Sequence, residues 1–219
     1  MARESTTLAD KQGNMKAGAR RLAARSMEQL GETKVTPDML SLGGLALCIA
    51  GSVAVYFEYR YWWLYLVGGV LFVLGAVLDI LDGALARAGG KGTPFGAFLD
   101  STLDRLGEAF MLGAIALVFM REGREWAVAL TFAAVVGSLL VSYTRAKAEG
   151  MGLQGEVGFG SRAERVAILG IGLGLGSVGG LPWAVLVLCA LAWLTAIQRI
   201  LHVRRQLIER SSAADGPRG

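Results

Sequence analysis

Residues 39–57, MLSLGGLALCIAGSVAVYF, run for nineteen positions without a charged side chain. A helix needs about 20 predominantly apolar residues to cross the hydrocarbon core of a bilayer, and this run meets that length by itself. Working outward, 61–78 (YWWLYLVGGVLFVLGAVL) and 126–144 (WAVALTFAAVVGSLLVSYT) are equally free of charge. Residues 166–198 form a longer uncharged run, too long for one span at about 1.5 Å of rise per residue. Gly179-Gly180-Leu181-Pro182 in its middle marks a turn, so the run divides into two spans. A further stretch, 109–120 (AFMLGAIALVFM), is short alone. Begun near Pro94, it becomes a sixth span with Asp100, Asp104, Arg105 and Glu108 on an inward face. The predicted fold class is an all-α integral membrane protein of six transmembrane helices.

Composition agrees. Of 219 residues, 53% are hydrophobic and 18% charged, with a mean hydropathy of +0.48, against roughly 25% charged in an average soluble domain. A disordered chain needs the reverse balance. Two cysteines exclude a disulfide scaffold, and one histidine argues against a multi-histidine zinc site. A soluble helical bundle would need polar outer faces, which these runs lack. Cys48 and Cys189 fall inside predicted spans and are read as small apolar packing residues.

Six spans put both termini and the second and fourth loops on one side, together with nineteen of the 22 Lys and Arg residues. Positive charge favours the cytoplasmic face, so both termini are expected there, in a multi-pass protein of the cell membrane. The net charge of +4 is then a topology signal, and nucleic-acid binding is not needed to explain it. The N-terminus lacks the apolar core of a cleavable signal peptide. Residues 1–14 are polar. Residues 15–30 (MKAGARRLAARSMEQL) set Lys16, Arg20, Arg21 and Arg25 among Met15, Leu22, Met27 and Leu30, the pattern of a basic amphipathic helix lying on anionic membrane lipids. Thr36 caps the first span, with Pro37 in its first turn. The expected organisation is a polar N-terminus with an interfacial helix over 1–35, a six-span domain over 36–206 and a polar tail over 207–219.

Ionisable groups inside spans are costly and mark function. Asp79 and Asp82 close the second span, while Asp100 and Asp104 open the third. Spacings of three and four residues put each pair on one helix face, and the short connection between the helices lets the pairs face each other. Four converging carboxylates need positive charge between them. Oxygen-only ligation suits Mg²⁺, Mn²⁺ or Ca²⁺ rather than zinc, and two ions is the natural count for carboxylates that handle phosphoryl oxygens. Gly83, Gly96 and Ala86 leave room for a ligand, and Arg87 offers a planar donor fork for phosphate.

From Asp79 the sequence reads DILDGALARAGGKGTPFGAFLDSTLD. At Asp79, Asp82, Gly83, Ala86, Arg87, Gly96, Asp100 and Asp104 it resembles, without departure, the signature of the CDP-alcohol phosphatidyltransferase family. The resemblance implies a reaction: transfer of the phosphatidyl group of a CDP-linked lipid, CDP-diacylglycerol, to an alcohol with release of CMP. It implies that Asp79, Asp82, Asp100 and Asp104 ligate two Mg²⁺ ions (or Mn²⁺), and that Asp104 also deprotonates the acceptor hydroxyl. Gly83, Ala86, Arg87 and Gly96, with Thr36-Pro37 before the first span, would bind the cytidine diphosphate. It also implies a homodimer.

The acceptor is read from a second polar cluster. SYTRAKAEG supplies Arg145, Lys147 and Glu149; GFGSRAERV supplies Arg162, Glu164 and Arg165; the last span carries Gln198 and Arg199. Cations gathered near the metals point to an anionic acceptor, a phosphorylated alcohol, although each alone fits an ordinary positive-inside charge. Arg145 and Lys147 cannot both face one way on a helix. The cluster is similar to that of the actinobacterial phosphatidylinositol phosphate synthases, which implies that Arg145, Arg162, Arg165 and Arg199 grip the phosphate of inositol 1-phosphate. Two departures stand out: Arg145 precedes Lys147 where that pattern has lysine then arginine, and Ala163 replaces a proline. Phosphatidylglycerophosphate synthesis from glycerol 3-phosphate uses the same logic, and archaeol-type lipids stay open. A cation channel or transporter would explain intramembrane carboxylates but not Arg87 and the two glycines at fixed spacing. Gly170, Gly172, Gly174 and Gly176 are expected to pack spans closely, and Trp62, Trp63, Trp126, Trp183 and Tyr59 to form an interfacial belt.

Overall fold

The structure, a computed structural model, describes residues 37–88, 93–158 and 160–214. The amphipathic helix expected over 15–30, Thr36, and the side-chain positions of Pro37, Asp82, Gly83, Ala86 and Arg87 lie outside the described residues. Six helices follow one another: α1 (Pro37–Tyr56), α2 (Leu64–Ala88), α3 (Pro94–Arg121), α4 (Glu125–Gly150), α5 (Arg162–Gly174) and α6 (Leu181–Ala214), with a 3₁₀ turn at Gly176–Val178 before α6.

Local chemistry explains the boundaries. Thr93 caps α3, its Oγ1 accepting from the Gly96 N–H at 2.9 Å, and Pro94 takes the first helical position. Ser161 and Glu164 form a capping box at the start of α5, with the Ser161 N–H donating to Glu164 Oε2 at 2.7 Å. Glu164, grouped in sequence with the cations of its loop, is therefore a capping residue. Between α5 and α6 the chain turns at Gly179, whose φ of 79° lies in the left-handed region. The 166–198 run thus divides where its Gly-Gly-Leu-Pro predicts.

Among the described residues, four helices are long and apolar enough to cross a membrane, over Asp38–Tyr56, Leu64–Leu81, Glu125–Gly150 and Leu181–Ser212. The sequence reading expected six. Helix α3 starts at Pro94 as expected, but Asp100, Asp104, Arg105 and Glu108 put charge on it from its second turn to its middle. Helix α5, at 13 residues, rises only about 20 Å against a core of about 30 Å. Phe132, Ile80 and Val70 are among many large apolar side chains left exposed on the outer surface, far more than a soluble monomer presents. The protein is a helical membrane protein.

The strongest helix pairings close a ring in the order α1, α2, α5, α6, α4, α3 and back to α1. Helices α1 and α2 approach through two glycine pairs. A Cβ on Gly75 would stand 2.6 Å from the Gly44 carbonyl oxygen, and one on Gly51 would stand 2.8 Å from that of Gly68. Close backbone contact of this kind is how membrane helices gain dispersion energy without a hydrophobic drive between them. In the alternating series, Gly170 meets Val73 of α2, Gly172 meets Ala184 of α6 and Gly176 meets the Tyr65 ring, while Gly174 faces open space. Met111, Ile115 and Phe119 of α3 fill the middle of the ring with Phe72, Leu169, Leu188 and Val185. Cys48 and Cys189 are buried free thiols.

The two ends of the bundle differ. Trp62, Trp63, Trp126 and Trp183 are all exposed at the end formed by the α1–α2, α3–α4 and α5–α6 connections. Here Arg121 bonds Glu58 at 3.1 Å and lies over the Tyr59 ring at 4.5 Å, tying α3 to the end of α1. Burial raises the Glu58 carboxyl above the usual range, against the opposing pull of Arg121. The opposite end collects most of the remaining charge among the described residues. There α6 continues through the polar residues past 206 as far as Ala214. Gln206 exchanges two hydrogen bonds with the Gln154 backbone, and Arg210 donates to the Gly152 carbonyl, so this extension holds the α4–α5 loop.

Candidate active site

The ring order carries the end of α2 and the starts of α3 and α5 to the same place. Asp79 comes from α2, and Asp100 and Asp104 come from successive turns of α3. Each of the three offers a carboxylate oxygen, and these oxygens all lie within 4.8 Å of one another. Like charges so close are unstable alone. The nearest compensation is Arg162, in the first turn of α5, whose guanidinium reaches both Asp79 and Asp104, the latter at 2.5 Å. Asp100 Oδ1 is buried and has no hydrogen-bond partner among the described residues.

These features fit a divalent metal. The donor set is all oxygen, one of its members has a buried carboxylate oxygen with no hydrogen-bond partner among the described residues, and a cationic side chain already sits against the other two. Gly96 lies one turn before Asp100. A Cβ there would come within 3.2 Å of Asp38 Oδ1, which puts Gly96 beside the first turn of α1, next to Pro37.

A polar cavity of about 680 Å³ opens beside the carboxylates. Asp100 and Asp104 border it together with Arg145, Arg162, Arg165 and Arg199, and Arg105, Glu108, Glu149 and Glu156 add further charge to the lining. All four arginines expected at the acceptor site therefore border one cavity, drawn from α4, α5 and α6. Arg145 faces it, whereas Lys147 is exposed and takes no part in its lining. Each arginine is also engaged locally. Arg145 pairs with Glu149 at 2.8 Å and Glu156 at 3.2 Å. Arg199 donates to the Val141 and Val157 carbonyls at 2.5 and 2.9 Å, pinning the α4–α5 loop between α4 and α6. Gln198, by contrast, lines a separate cavity with His202 and Arg205.

Arg165 is held most firmly. Its Nε and Nη2 donate to Glu108 at 2.9 and 3.0 Å, and its Nη1 donates to the Gly160 carbonyl at 2.7 Å. Glu108 is the residue whose role the sequence reading missed. Its spacing of four from Asp104 was a visible signal, but that spacing reads equally as a further metal ligand.

A match to the family model for CDP-alcohol phosphatidyltransferases covers residues 34–197. The chain belongs to the CDP-alcohol phosphatidyltransferase family. It is an enzyme of that family by three-quarters of its length, and the ion-conducting alternative falls away. Among curated relatives, the chain is 36% identical to the archaetidylinositol phosphate synthase of Pyrococcus horikoshii over 187 residues, covering 83% of this chain and 92% of the relative. It is 36% identical to the phosphatidylinositol phosphate synthase of Mycolicibacterium smegmatis over 178 residues, covering 78% of each. Among solved members, the Mycobacterium tuberculosis phosphatidylinositol phosphate synthase with CDP-DAG bound superposes with a TM-score of 0.74 at 28% identity, over 84% of this chain and 94% of that one. The same enzyme in complex with manganese and citrate matches with a TM-score of 0.71 at 29% identity, over 82% of this chain and 86% of that one.

Proposed function

We propose that this phosphatidyltransferase moves the phosphatidyl group of CDP-diacylglycerol onto inositol 1-phosphate, giving phosphatidylinositol phosphate and CMP. The observation that carries the reading is one cavity that brings Arg145, Arg162, Arg165 and Arg199 beside Asp100 and Asp104, with Glu108 and Glu149 in its lining already paired to Arg165 and Arg145. An anionic acceptor beside a metal-binding carboxylate cluster is what that charge pattern accommodates. The synthase names of the relatives from Pyrococcus and Mycolicibacterium share the same inositol phosphate head group.

In this reading Asp79, Asp82, Asp100 and Asp104 hold two Mg²⁺ ions, with Mn²⁺ as a substitute. Such ions neutralise the diphosphate and stabilise charge developing on the leaving CMP oxygen. Thr36, Pro37, Gly83, Ala86, Arg87 and Gly96 surround the cytidine diphosphate. Arg145, Arg162, Arg165 and Arg199 orient the acceptor through its phosphate. A guanidinium has five N–H groups; Arg165 commits three to Glu108 and Gly160 and keeps N–H groups on both terminal nitrogens for the acceptor. Asp104 accepts the proton of the attacking hydroxyl. The hydroxyl oxygen bonds to the lipid-bearing phosphorus as the anhydride bond to CMP breaks, and the proton stays on the Asp104 carboxylate until solvent takes it. A carboxylate is a weak base near neutral pH, so the field around the hydroxyl must ease its ionisation.

The same proposal sets six crossings in the membrane. Helix α3 would turn its carboxylates to the ring interior, α5 would be completed by the 3₁₀ turn, and both termini and the site would lie at the cytoplasmic face. Residues 36–206 form the catalytic domain, between the interfacial segment 1–35 and the tail 207–219, and two chains associate as a homodimer. The test is CMP release by the purified protein with Mg²⁺ and CDP-diacylglycerol, comparing inositol 1-phosphate, glycerol 3-phosphate and free inositol. Preference for inositol 1-phosphate is expected. Preference for glycerol 3-phosphate would overturn the acceptor assignment, and no release with any alcohol would overturn the reaction.

A further inference from the structure

We infer that Glu108 is a positioning residue for the acceptor half of the site, a role that rests on the reading above of Arg165 as an acceptor-phosphate ligand. Asp100, Asp104 and Glu108 follow one another at single helical turns on α3. By spacing alone Glu108 extends the metal-binding row. The contacts assign it differently. Its Oε1 accepts from Ser138 Oγ on α4 at 2.9 Å and from Arg165 Nε on α5 at 2.9 Å, and its Oε2 accepts from Arg165 Nη2 at 3.0 Å. Glu108, Ser138 and Arg165 are all buried. Both oxygens are therefore held by donors, and among the described residues Glu108 is absent from the group of carboxylates able to share an ion.

The consequence is geometric. A two-point bond from a carboxylate to a guanidinium fixes the plane of the guanidinium as well as its position. With Nη1 on the Gly160 carbonyl at 2.7 Å, Arg165 links Glu108 to the backbone two residues before Arg162. The loop has little slack here, since a Cβ on Gly160 would stand 2.6 Å from Thr195 Oγ1 of α6. One carboxylate on α3 thus sets the two α5 arginines relative to Asp100 and Asp104, the residues on the same helix that would meet the metals and the attacking hydroxyl. A buried ion pair adds little net stability over an apolar replacement of equal size, so its value here lies in register.

The test compares E108Q, E108D and S138A with the wild-type protein in detergent. It measures kcat, the apparent KM for inositol 1-phosphate, the apparent KM for CDP-diacylglycerol and the melting temperature. E108Q keeps the shape and loses the charge. Its KM for inositol 1-phosphate is expected to rise about tenfold or more, the usual cost of losing a supporting partner, while its KM for CDP-diacylglycerol stays within about twofold. E108D, which restores the charge on a shorter arm, is expected to recover part of the loss. If E108Q does not fold, S138A removes a single donor to Oε1 and is expected to raise the acceptor KM by about threefold. A lowered melting temperature with both KM values unchanged would overturn the inference, as would equal changes in the two KM values. Absence of wild-type turnover with inositol 1-phosphate strikes the acceptor reading instead; normal wild-type turnover with unchanged E108Q constants strikes this one.

Discussion

Replacing Arg162 with alanine should act on metal and acceptor in opposite directions. The Arg162 guanidinium lies against Asp79 and Asp104, two of three carboxylates whose oxygens fall within 4.8 Å of one another. A guanidinium and a carboxylate whose charge centres lie about 5 Å apart interact by about 3 kcal/mol at the effective dielectric of a partly buried site. A divalent ion entering the cluster must displace the guanidinium and give up that compensation. Only half of one such interaction, about 1.4 kcal/mol, is a factor of ten in affinity. R162A is therefore expected to bind Mn²⁺ about tenfold more tightly, or more, in the absence of substrates. Its ion-free form should melt lower than wild type, because the carboxylates lose their counter-charge. The same variant should lose about tenfold or more in kcat/KM for inositol 1-phosphate, the cost of a missing phosphate contact. A Mn²⁺ titration followed by electron paramagnetic resonance, with melting curves and steady-state kinetics on the same sample, reads all three. Unchanged or weaker Mn²⁺ binding in a folded R162A protein would refute the reasoning.

Three further variants test other parts of the site and fold. D104N should lower CMP release by at least about a hundredfold, the scale of a lost general base, while CDP-lipid binding measured by equilibrium dialysis stays largely intact; equal loss of both would remove the base role. R199A should raise the apparent KM for inositol 1-phosphate more than that for CDP-diacylglycerol, because Arg199 lines the cavity and holds the Val157 carbonyl; an unchanged KM would take it out of the acceptor site. Gly75→Ala puts a methyl group 2.6 Å from the Gly44 carbonyl oxygen and 2.8 Å from Cys48 Sγ, an overpacking expected to cost about 1–3 kcal/mol and to lower the melting temperature. Gly43→Ala, with nothing among the described residues within 4 Å of the new Cβ, is the neutral control; equal melting of the two would refute the tight α1–α2 crossing.

Much of the architecture was legible because it is written in local pattern. Uncharged runs of span length mark α1, α2, α4 and α6, Pro94 marks the start of α3, and Gly179 to Pro182 marks the break before α6. The three carboxylates were legible for the same reason, since helical spacing puts Asp100 and Asp104 on one face and a short connection returns α3 alongside Asp79. Pairings between distant residues carry no such mark. Nothing near Glu108 announces Arg165, 57 positions away, and the same spacing that revealed Asp104 made Glu108 look like one more ligand. Nor does the sequence show that Arg162, which borders the cavity, also rests on Asp79 and Asp104, because that depends on how α5 packs against α2. Arg145 and Lys147 were indistinguishable by charge and were separated only by the rotation of α4. The count of crossings has a related cause: α3 carries charge and α5 is short, so neither meets the limits of a simple span, although both take their places in the helix ring.

The most direct measurement of the central claim is CMP release from CDP-diacylglycerol and inositol 1-phosphate by the purified protein, first stripped of metal with chelator and then supplied with Mg²⁺. Release is expected to be absent without metal, to return with Mg²⁺ in proportion to phosphatidylinositol phosphate formed, and to stay absent in a folded Asp100→Asn variant. Equal release with and without metal, or full activity of that variant, would contradict the assignment of these carboxylates to phosphatidyl transfer.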